Sequence, residues 1–301
     1  MVSIPDTNAF GIVMAADDSY VGFLERAVRS IRAHSPAVPI EVSTCGPAPR
    51  IAALARPLNI VVRPVALPAR LHRSAVSERT MTIWSRVAKL TAIASTPFAS
   101  TVYLDADTVV RDDVRRLARL LPVAPDSVDI YMRWRRPEHP IRLLDWRQFY
   151  FTSPHTLDVD GMCRLIDKAL GVTSSVEWAE RLRPWNGGVV YGARSGMRAF
   201  GAKWLGLFLK CFTGPYADLF VPRDQLTAWL LFEEPAPKVS INELPSAWNY
   251  LASNELSEAQ VGDHALLRAR LMHTKIAHLT FRKDDPRFGP VIDALSSYAT
   301  R

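Results

Sequence analysis

Apolar runs that fit buried strands alternate with helical periods over the first third of the chain. We predict helices at 21–34, 50–55 and 77–94, between strands at 10–15, 40–44, 60–65 and 101–104. In the first of these helices Leu24, Val28 and Ile31 recur at helical spacing, and charged residues occupy the opposite face. Strands that alternate with helices predict an α/β fold, in which a mostly parallel central sheet is flanked by helices.

The pattern changes after a further predicted strand at 128–132. Residues 133–185 are rich in Arg, Trp, Pro and His, and we predict only two helices there, at 161–170 and 175–182. Regular elements then return, with strands at 188–191, 239–244 and 276–280 and helices at 195–211, 223–231 and 290–298. We expect residues 1–301 to form a single domain with an irregular insertion at about 133–185.

The composition is that of a folded protein from a reducing compartment. The chain has 301 residues, of which 48% are hydrophobic, and this suffices for a large core. Its cysteines are odd in number and too far apart for a metal motif, at Cys45, Cys163 and Cys211. The sequence has no pattern of a secretory signal, and its apolar runs are shorter than a membrane span. We therefore expect a cytoplasmic protein without a transmembrane segment.

The net charge indicates which kinds of binding partner to consider. The formal charge is +7 and the isoelectric point is about 9.5, but the basic residues are mainly arginines spread through predicted helices. The sequence contains no helix-turn-helix, zinc-finger or RNP-like pattern, so we do not expect a nucleic-acid partner. A basic balance also suits a protein that binds a polyanionic small molecule such as a nucleotide diphosphate.

Two acidic residues, Asp105 and Asp107, follow the predicted strand at 101–104. Residues two apart on a strand point to the same side, so these carboxylates can converge on one point. Close carboxylates repel each other unless a proton, an arginine or a cation neutralises them, and a divalent cation can also take phosphate oxygens. The simpler interpretation is a strand that runs into an acidic turn.

Further short motifs follow one another along nearly the whole chain. They are Ala15-Ala16-Asp17-Asp18-Ser19-Tyr20, Lys89-Leu90, Leu104-Asp105-Ala106-Asp107-Thr108, Asn186-Gly187-Gly188, Asp224-Gln225, Leu244-Pro245, Trp248-Asn249 and His278. In this order the chain resembles the retaining nucleotide-sugar glycosyltransferases of the GT-A (Rossmann-like) fold, specifically the glycogenin-like and galactosyltransferase-like family 8. The resemblance implies a nucleotide-sugar-binding half at about 8–130, an acceptor-side insertion at 133–185 and a C-terminal segment at 265–301.

The resemblance implies a metal site and a donor substrate. Asp105, Asp107 and His278 would hold the cation, and His273 is the nearby competitor for the third position. A nitrogen ligand beside carboxylates shifts the preference from Mg²⁺ towards Mn²⁺. The cation would bridge the diphosphate of a nucleotide-sugar donor, for which family analogy favours a UDP-sugar.

The resemblance also implies which residues contact that donor. Asp18 and Tyr20 would hold the nucleobase, although Asp17 or Asp18 could equally cap a helix. Lys89 would lie near the phosphates or the sugar hydroxyls, and Arg86 shares its helix face. The implied set of donor-binding residues comprises Ala15, Asp18, Tyr20, Arg86, Lys89, Asp105, Ala106, Asp107, Gly188 and Lys283.

Three further residues match positions that line the sugar and the reacting carbon. Asn186 and Asp224 would contact the sugar, and the amide dipole of Gln225 would stabilise an oxocarbenium-like centre. With no obvious carboxylate nucleophile, retention suggests front-side attack by an unknown acceptor: a saccharide, a lipid-linked glycan, a protein or a small natural product. Side chains of the insertion could form the acceptor site or simply pack, and we favour packing for Arg133, Trp134, Arg135, Arg136 and Trp146.

The chain departs from the family pattern after His278. Family members usually continue with a glycine and a lysine that clamp the diphosphate. Here Phe281 stands near the place of the glycine, and Lys283 arrives about one residue early. Arg282 and Lys283 remain candidates for contacting phosphate.

Two other functions fit parts of the sequence. Asp105-Ala106-Asp107-Thr108-Val109 matches the motif of haloacid-dehalogenase-type phosphatases, in which the first Asp is the nucleophile. That motif normally follows the first strand, whereas here three predicted strands precede it. The second alternative is a GT-A-like domain that binds a nucleotide sugar or a glycan without turnover. A calcium-binding loop fits poorly, because Val110 occupies the position where an EF-hand requires glycine.

Overall fold

A computed structural model of the chain describes residues 10–68, 71, 77–134, 143–153, 156–171, 174–180, 185–231, 239–280 and 285–296. Its strands are β1 (Phe10–Ala15), β2 (Ile40–Cys45), β3 (Val61–Val65), β4 (Ser100–Asp105), β5 (Thr108–Val110), β6 (Asp129–Trp134), β7 (Trp185–Ala193), β8 (Ser240–Glu243), β9 (Tyr250–Leu251) and β10 (Ile276–His278). Its helices are α1 (Val21–His34), α2 (Pro49–Leu54), α3 (Glu78–Ala94), α4 (Arg115–Leu120), α5 (Leu143–Tyr150), α6 (Val159–Leu170), α7 (Val176–Glu180), α8 (Arg194–Thr213), α9 (Gln225–Leu231), α10 (Ala252–Glu255), α11 (Glu258–Gly262), α12 (His264–Leu271) and α13 (Phe288–Ser296).

The central sheet has seven strands in the order β3-β2-β1-β4-β7-β6-β8. Every neighbouring pair is parallel except the two that involve β7, which runs antiparallel to β4 and β6. β1 and β4 are in register, so that Ala15 pairs with Asp105 where both strands end. The prediction of a mostly parallel α/β sheet is confirmed.

Side chains alternate between two apolar cores along the central strands. Val13 and Tyr103 belong to the cluster that contains the buried faces of α3 and α8. Ile12 and Val102, one residue earlier on each strand, belong to the cluster that contains the buried face of α1. This period-two alternation places helices on both faces of the sheet.

A smaller sheet joins the C-terminal part of the chain to the acidic motif. β10 runs antiparallel to β5, which follows Asp107, and parallel to β9. The backbone N–H of Leu279 donates to the carbonyl oxygen of Asp107 at 2.8 Å, which extends this pairing. His278, at the end of β10, is therefore held against the loop that carries the two carboxylates.

Some elements differ from the sequence-based predictions. β7 begins at Trp185, three residues before the predicted strand, and so includes the Asn186-Gly187-Gly188 motif. The predicted irregular insertion contains α5, α6 and α7 within its described part. The short helices α10, α11 and α12 were not predicted, because at four, five and eight residues they are too short to show a helical period.

The described residues contain no helix that combines the length and the apolar character required to cross a lipid bilayer.

A close helix crossing fixes the position of α3. A Cβ atom on Gly201 of α8 would lie 2.5 Å from the backbone nitrogen of Ala94 and 2.8 Å from its Cα atom, too close for any side chain. Gly201 therefore allows the backbones of α3 and α8 to approach each other. Because Arg86 and Lys89 lie on α3, this crossing also sets where those two side chains are presented.

We predict that Gly201→Ala lowers the free energy of unfolding by about 2 kcal/mol, because the added methyl group forces the two helices apart. Gly206→Ala is the matched control, since Gly206 is exposed on the same helix with open space around it. The control should gain about 0.5–1 kcal/mol from better helix propensity. Urea denaturation of both variants measures the difference, and equal stabilities would contradict the close crossing.

Candidate active site

A cavity of about 710 Å³ opens where β1 and β4 end. Ligands in open α/β sheets bind beyond the carboxyl ends of the strands, so this is the expected place for a site. Most of the predicted site residues line it, namely Ala15, Tyr20, Arg86, Lys89, Asp105, Ala106, Asp107, Asn186, Gly188, Asp224, Gln225 and His278. Asp18 is not among the lining residues, and Lys283 lies outside the described residues.

Three potential metal ligands converge in the cavity. The Nε2 atom of His278 lies 3.2 Å from Oδ1 of Asp107 and 3.6 Å from Oδ2 of Asp105. One ligand atom from each residue lies within 4.8 Å of the others, which is close enough for a single ion to contact all three. Two carboxylates and an imidazole suit a divalent first-row ion such as Mn²⁺. The donor set therefore fits the metal implied by the sequence.

The hydrogen bonds around Asn186 define which nitrogen of His278 can bind a metal. Oδ1 of Asn186 accepts the backbone N–H of Gly188 at 3.0 Å, so this atom is the carbonyl oxygen of the amide. The same oxygen accepts from Nδ2 of Asn249 at 3.0 Å and lies 3.1 Å from Nδ1 of His278. Nδ1 must therefore donate, so Nε2 is the nitrogen that faces the two carboxylates and is placed to bind a metal.

Gly188 is required by the same arrangement. A Cβ atom at this position would overlap the imidazole ring of His278. The glycines of the Asn186-Gly187-Gly188 motif thus lie within a strand and permit close packing rather than forming a turn. Asn186 itself is buried and contacts His278, a contact that the sequence analysis did not foresee.

Asp105 is oriented by two neighbours. The Tyr103 hydroxyl donates to Oδ1 of Asp105 at 2.6 Å, and Nζ of Lys89 lies 3.1 Å from the same oxygen. Burial and the adjacent carboxylate raise the pKa of Tyr103 well above its usual value, so the hydroxyl keeps its proton and remains a donor. Oδ2 is the oxygen that lies near His278, and it also accepts from Nζ of Lys89 at 3.3 Å. Tyr103 was missed in the sequence, although its place two residues before Asp105 puts both on one side of β4.

Lys89 bridges two carboxylates in the buried wall of the cavity. Its ammonium group lies 2.9 Å from Oδ2 of Asp224 and 3.1 Å from Oδ1 of Asp105. It also faces the rings of Tyr103 and Trp204, at 5.3 and 5.6 Å from their centroids. Burial lowers the pKa of Lys89, but the two carboxylates outweigh burial and raise the pKa above its usual value. Lys89 is therefore a permanent positive charge.

Asp224 and Gln225 stand where α9 begins. Burial raises the pKa of Asp224, but the charges of Lys89 and Arg86 outweigh it and bring the pKa to about 2. The main-chain carbonyl of Asp224 accepts the indole N–H of Trp204 at 2.9 Å, which ties this turn to α8. The side-chain oxygen of Gln225 accepts from the Tyr150 hydroxyl at 3.4 Å.

The two consecutive acids at the end of β1 point to different places. Asp18 accepts hydrogen bonds from the backbone N–H groups of Arg50 and Ile51, both at 3.1 Å. These N–H groups at the start of α2 would otherwise lack a partner within the helix. Asp17 lines the cavity, and its Oδ1 accepts the backbone N–H of Ser19 at 2.8 Å. The Tyr20 ring is 40% exposed and lines the cavity beside Asp17. The sequence analysis placed Asp18 at the nucleobase and left Asp17 or Asp18 as a helix cap; Asp17 does cap the short helical turn Asp18–Tyr20.

The described residues of the insertion that we considered for an acceptor site are engaged in packing. Arg133 pairs with Glu255 at 3.0 Å and donates to the carbonyl oxygen of Asn249 at 2.9 Å. The rings of Trp134 and Trp185 pack with their centroids 6.3 Å apart. Arg135, Arg136 and the side chain of Trp146 lie outside the described part of the structure.

Comparisons with known proteins found similarity in structure only. No protein-family model and no curated protein matches the chain in sequence. The galactosyltransferase LgtC, solved in complex with donor and acceptor sugar analogs, matches with a TM-score of 0.53 and 20% identity over 96% of this chain and 95% of its own. The fold is that of the GT-A glycosyltransferases.

Two further glycosyltransferases share this fold. The bifunctional glycosyltransferase WbbM matches 99% of this chain with a TM-score of 0.56 and 15% identity, and the chain spans 51% of the length of WbbM. Mouse xyloside xylosyltransferase 1 matches 92% of this chain and 100% of its own, with a TM-score of 0.50 and 15% identity. The predicted GT-A fold is thereby confirmed.

We predict that Tyr103→Phe weakens Mn²⁺ binding by about tenfold, the usual cost of losing a hydrogen bond that orients a metal ligand. The substitution keeps the ring and removes only the hydroxyl that holds Oδ1 of Asp105. Calorimetric titration with Mn²⁺ measures the change. Tyr191→Phe is the control, because the Tyr191 hydroxyl is bonded to Ser100 and does not line the cavity. Equal affinities of the two variants would show that Asp105 needs no such support.

We predict that Lys89→Met destabilises the protein by about 3 kcal/mol at pH 7, because it leaves Asp105 and Asp224 buried without their shared cation. In the native protein Asp224 has a pKa of about 2, below its ordinary value of 3.8. Its stabilising contribution is therefore complete above pH 4 and is lost as the pH falls towards 2. The difference in the free energy of unfolding between Lys89→Met and the native protein should therefore shrink as the pH falls from 4 towards 2.

Urea denaturation between pH 7 and pH 2.5 measures this difference. The control is Lys168→Met, which removes an exposed lysine of α6 and should change stability by less than about 0.5 kcal/mol. A constant difference between Lys89→Met and the native protein across this pH range would argue against the pairing of Lys89 with Asp224.

Proposed function

We propose that the protein is a metal-dependent, retaining hexosyltransferase of the family 8 type, with a UDP-sugar as its donor. The observation that carries the proposal is the convergence of Asp105, Asp107 and Nε2 of His278 in a cavity of a GT-A fold. The structural neighbours supply support through the fold.

Asp105, Asp107 and His278 would hold the divalent cation, Mn²⁺ or Mg²⁺. The cation would neutralise the charge that develops on the leaving diphosphate. The side chain of Arg86, which lines the cavity beside these residues, adds a second positive charge for the phosphates. Arg282 and Lys283 remain candidates for a C-terminal phosphate contact.

The nucleobase would bind at the end of β1. The exposed Tyr20 ring offers a face on which a base can stack, a contact worth about 1–3 kcal/mol. We assign the contact with the imide N–H of uracil to Asp17, since Asp17 lines the cavity while Asp18 is bound to the start of α2. Ala15, Ala106 and Gly188 contribute backbone and small side chains that allow close approach of the donor.

The sugar would lie between Asp224, Gln225 and Asn186. Asp224 remains ionised and can accept sugar hydroxyl groups, but its pairing with Lys89 and a pKa of about 2 make it a poor nucleophile. This favours a mechanism in which the diphosphate leaves and the acceptor attacks on the same face of the sugar. A double displacement through a covalent intermediate on Asp224 is disfavoured. The amide of Gln225, at the N-terminus of α9, would then face the positive charge that develops at the reacting carbon.

The rival assignment as a phosphatase requires Asp105 to act as a free nucleophile. Oδ1 of Asp105 instead accepts from Tyr103 and pairs with Lys89, and Oδ2 faces His278. In addition, Asp105 ends the fourth strand along the chain rather than the first. Both observations favour the transferase.

We predict that the protein binds UDP only when Mn²⁺ or Mg²⁺ is present and slowly hydrolyses one or more UDP-sugars without an acceptor. A plate of UDP-, GDP- and dTDP-sugars with each metal identifies the donor. Asp107→Asn should reduce metal-dependent turnover at least about a hundredfold, because it removes one of the three metal ligands.

Asp126→Asn is the matched control, since Asp126 is an exposed carboxylate away from the cavity. Metal-independent hydrolysis of p-nitrophenyl phosphate would establish the phosphatase instead. Metal-dependent UDP binding without release of sugar from any donor would identify a non-catalytic binding domain. Turnover that survives in Asp107→Asn would contradict the proposed metal site.

A further inference from the structure

Three aromatic rings connect the cavity to the C-terminal helix. The rings of Tyr20 and Phe23 pack with their centroids 5.6 Å apart, and those of Phe23 and Phe288 meet edge to face at the same distance. The guanidinium group of Arg26 covers this stack, at 5.8 Å from the Phe23 ring and 6.0 Å from the Phe288 ring. Tyr20, which lines the cavity, is therefore supported from behind by a residue of α13.

The position of Phe288 is itself well defined. Arg287 donates to both oxygens of Asp285, at 2.9 and 2.7 Å, just before α13 begins. The same guanidinium donates to the carbonyl oxygens of Leu256 at 2.8 Å and Ser253 at 3.3 Å. Further along α13, Val291 and Leu295 are buried in the apolar cluster beneath β10. α13 can thus serve as a rigid support for the ring stack.

We propose that Phe288 is a positioning residue for nucleobase recognition, acting through Phe23 on the ring of Tyr20. The inference rests on the proposed function and deepens it, because it concerns how the nucleoside end of a nucleoside diphosphate is bound. A partly exposed tyrosine just before a helix would otherwise sample several rotamers and lose that freedom on binding. A ring that is already held in place avoids this cost, so the base binds more tightly.

The arrangement also links the two ends of the donor. β10 carries the metal ligand His278, and α13 follows β10 in the chain with Phe288 at its start. One C-terminal segment therefore supports both the metal site and the nucleobase platform. The residues between them include Arg282 and Lys283, our candidates for contacting the diphosphate.

The test compares two ligands that differ in the nucleoside. UDP and inorganic pyrophosphate both offer a diphosphate to the metal, but only UDP offers a base. With Mn²⁺ present, Phe288→Ala should weaken UDP binding roughly fivefold, in line with the loss of one aromatic contact. The affinity for pyrophosphate should stay unchanged. Isothermal titration of the full-length protein measures both.

Ile292→Ala is the matched control. Ile292 is partly buried on the same helix and packs on the same apolar cluster as Phe288, one turn further on. Ile292→Ala should lower the free energy of unfolding without changing the affinity for UDP relative to that for pyrophosphate. The double variant Tyr20→Ala/Phe288→Ala should bind UDP no more weakly than Tyr20→Ala alone, since Phe288 acts through the Tyr20 ring.

The outcomes separate this inference from the proposed function. If the unmodified protein binds neither UDP nor pyrophosphate with Mn²⁺, the proposed function is wrong and the inference falls with it. If the unmodified protein binds both, the inference alone is overturned by any of three results. These are an unchanged UDP affinity in Phe288→Ala, equal losses for the two ligands, and additive losses in the double variant.

Discussion

The cavity depends on one buried ammonium group. Asp105, Asp107 and Asp224 all line this space, and three carboxylates this close repel one another strongly. Lys89 lies between Asp105 and Asp224, and its charge lowers the pKa of Asp224, while the two carboxylates raise the pKa of Lys89. Because Lys89 comes from α3, the crossing of α3 and α8 at Gly201 supports the electrostatics of the cavity as well as the fold.

Neighbouring side chains outside the cluster orient the potential metal ligands Asp105 and His278. Tyr103 holds one oxygen of Asp105, and Asn186 receives the Nδ1 proton of His278. Each contact leaves the opposite atom of its ligand directed at the same point. A cation that entered this cluster would find its ligands already oriented. Little binding free energy would then be lost in ordering side chains.

Much of this was predictable from local patterns. The period of apolar residues predicts the central strands and helices, and the two-residue spacing of Asp105 and Asp107 predicts their common direction. The contact of Asn186 with His278 was not predictable, because it depends on β7 running antiparallel beside β4 and on β10 joining a second sheet. Likewise, Asp17 and Asp18 are equivalent in sequence, and only the packing of α2 against the end of β1 distinguishes them.

The pairing of β10 with β5 has a consequence for how the protein folds. His278 reaches the carboxylates only through β10, which most of the other elements of the chain separate from β4 and β5. Contacts between such distant parts of a chain form late, since a large loop must close first. β5 and β10 must pair before these three side chains lie close together. The cluster of Asp105, Asp107 and His278 is therefore complete only once the smaller sheet has formed.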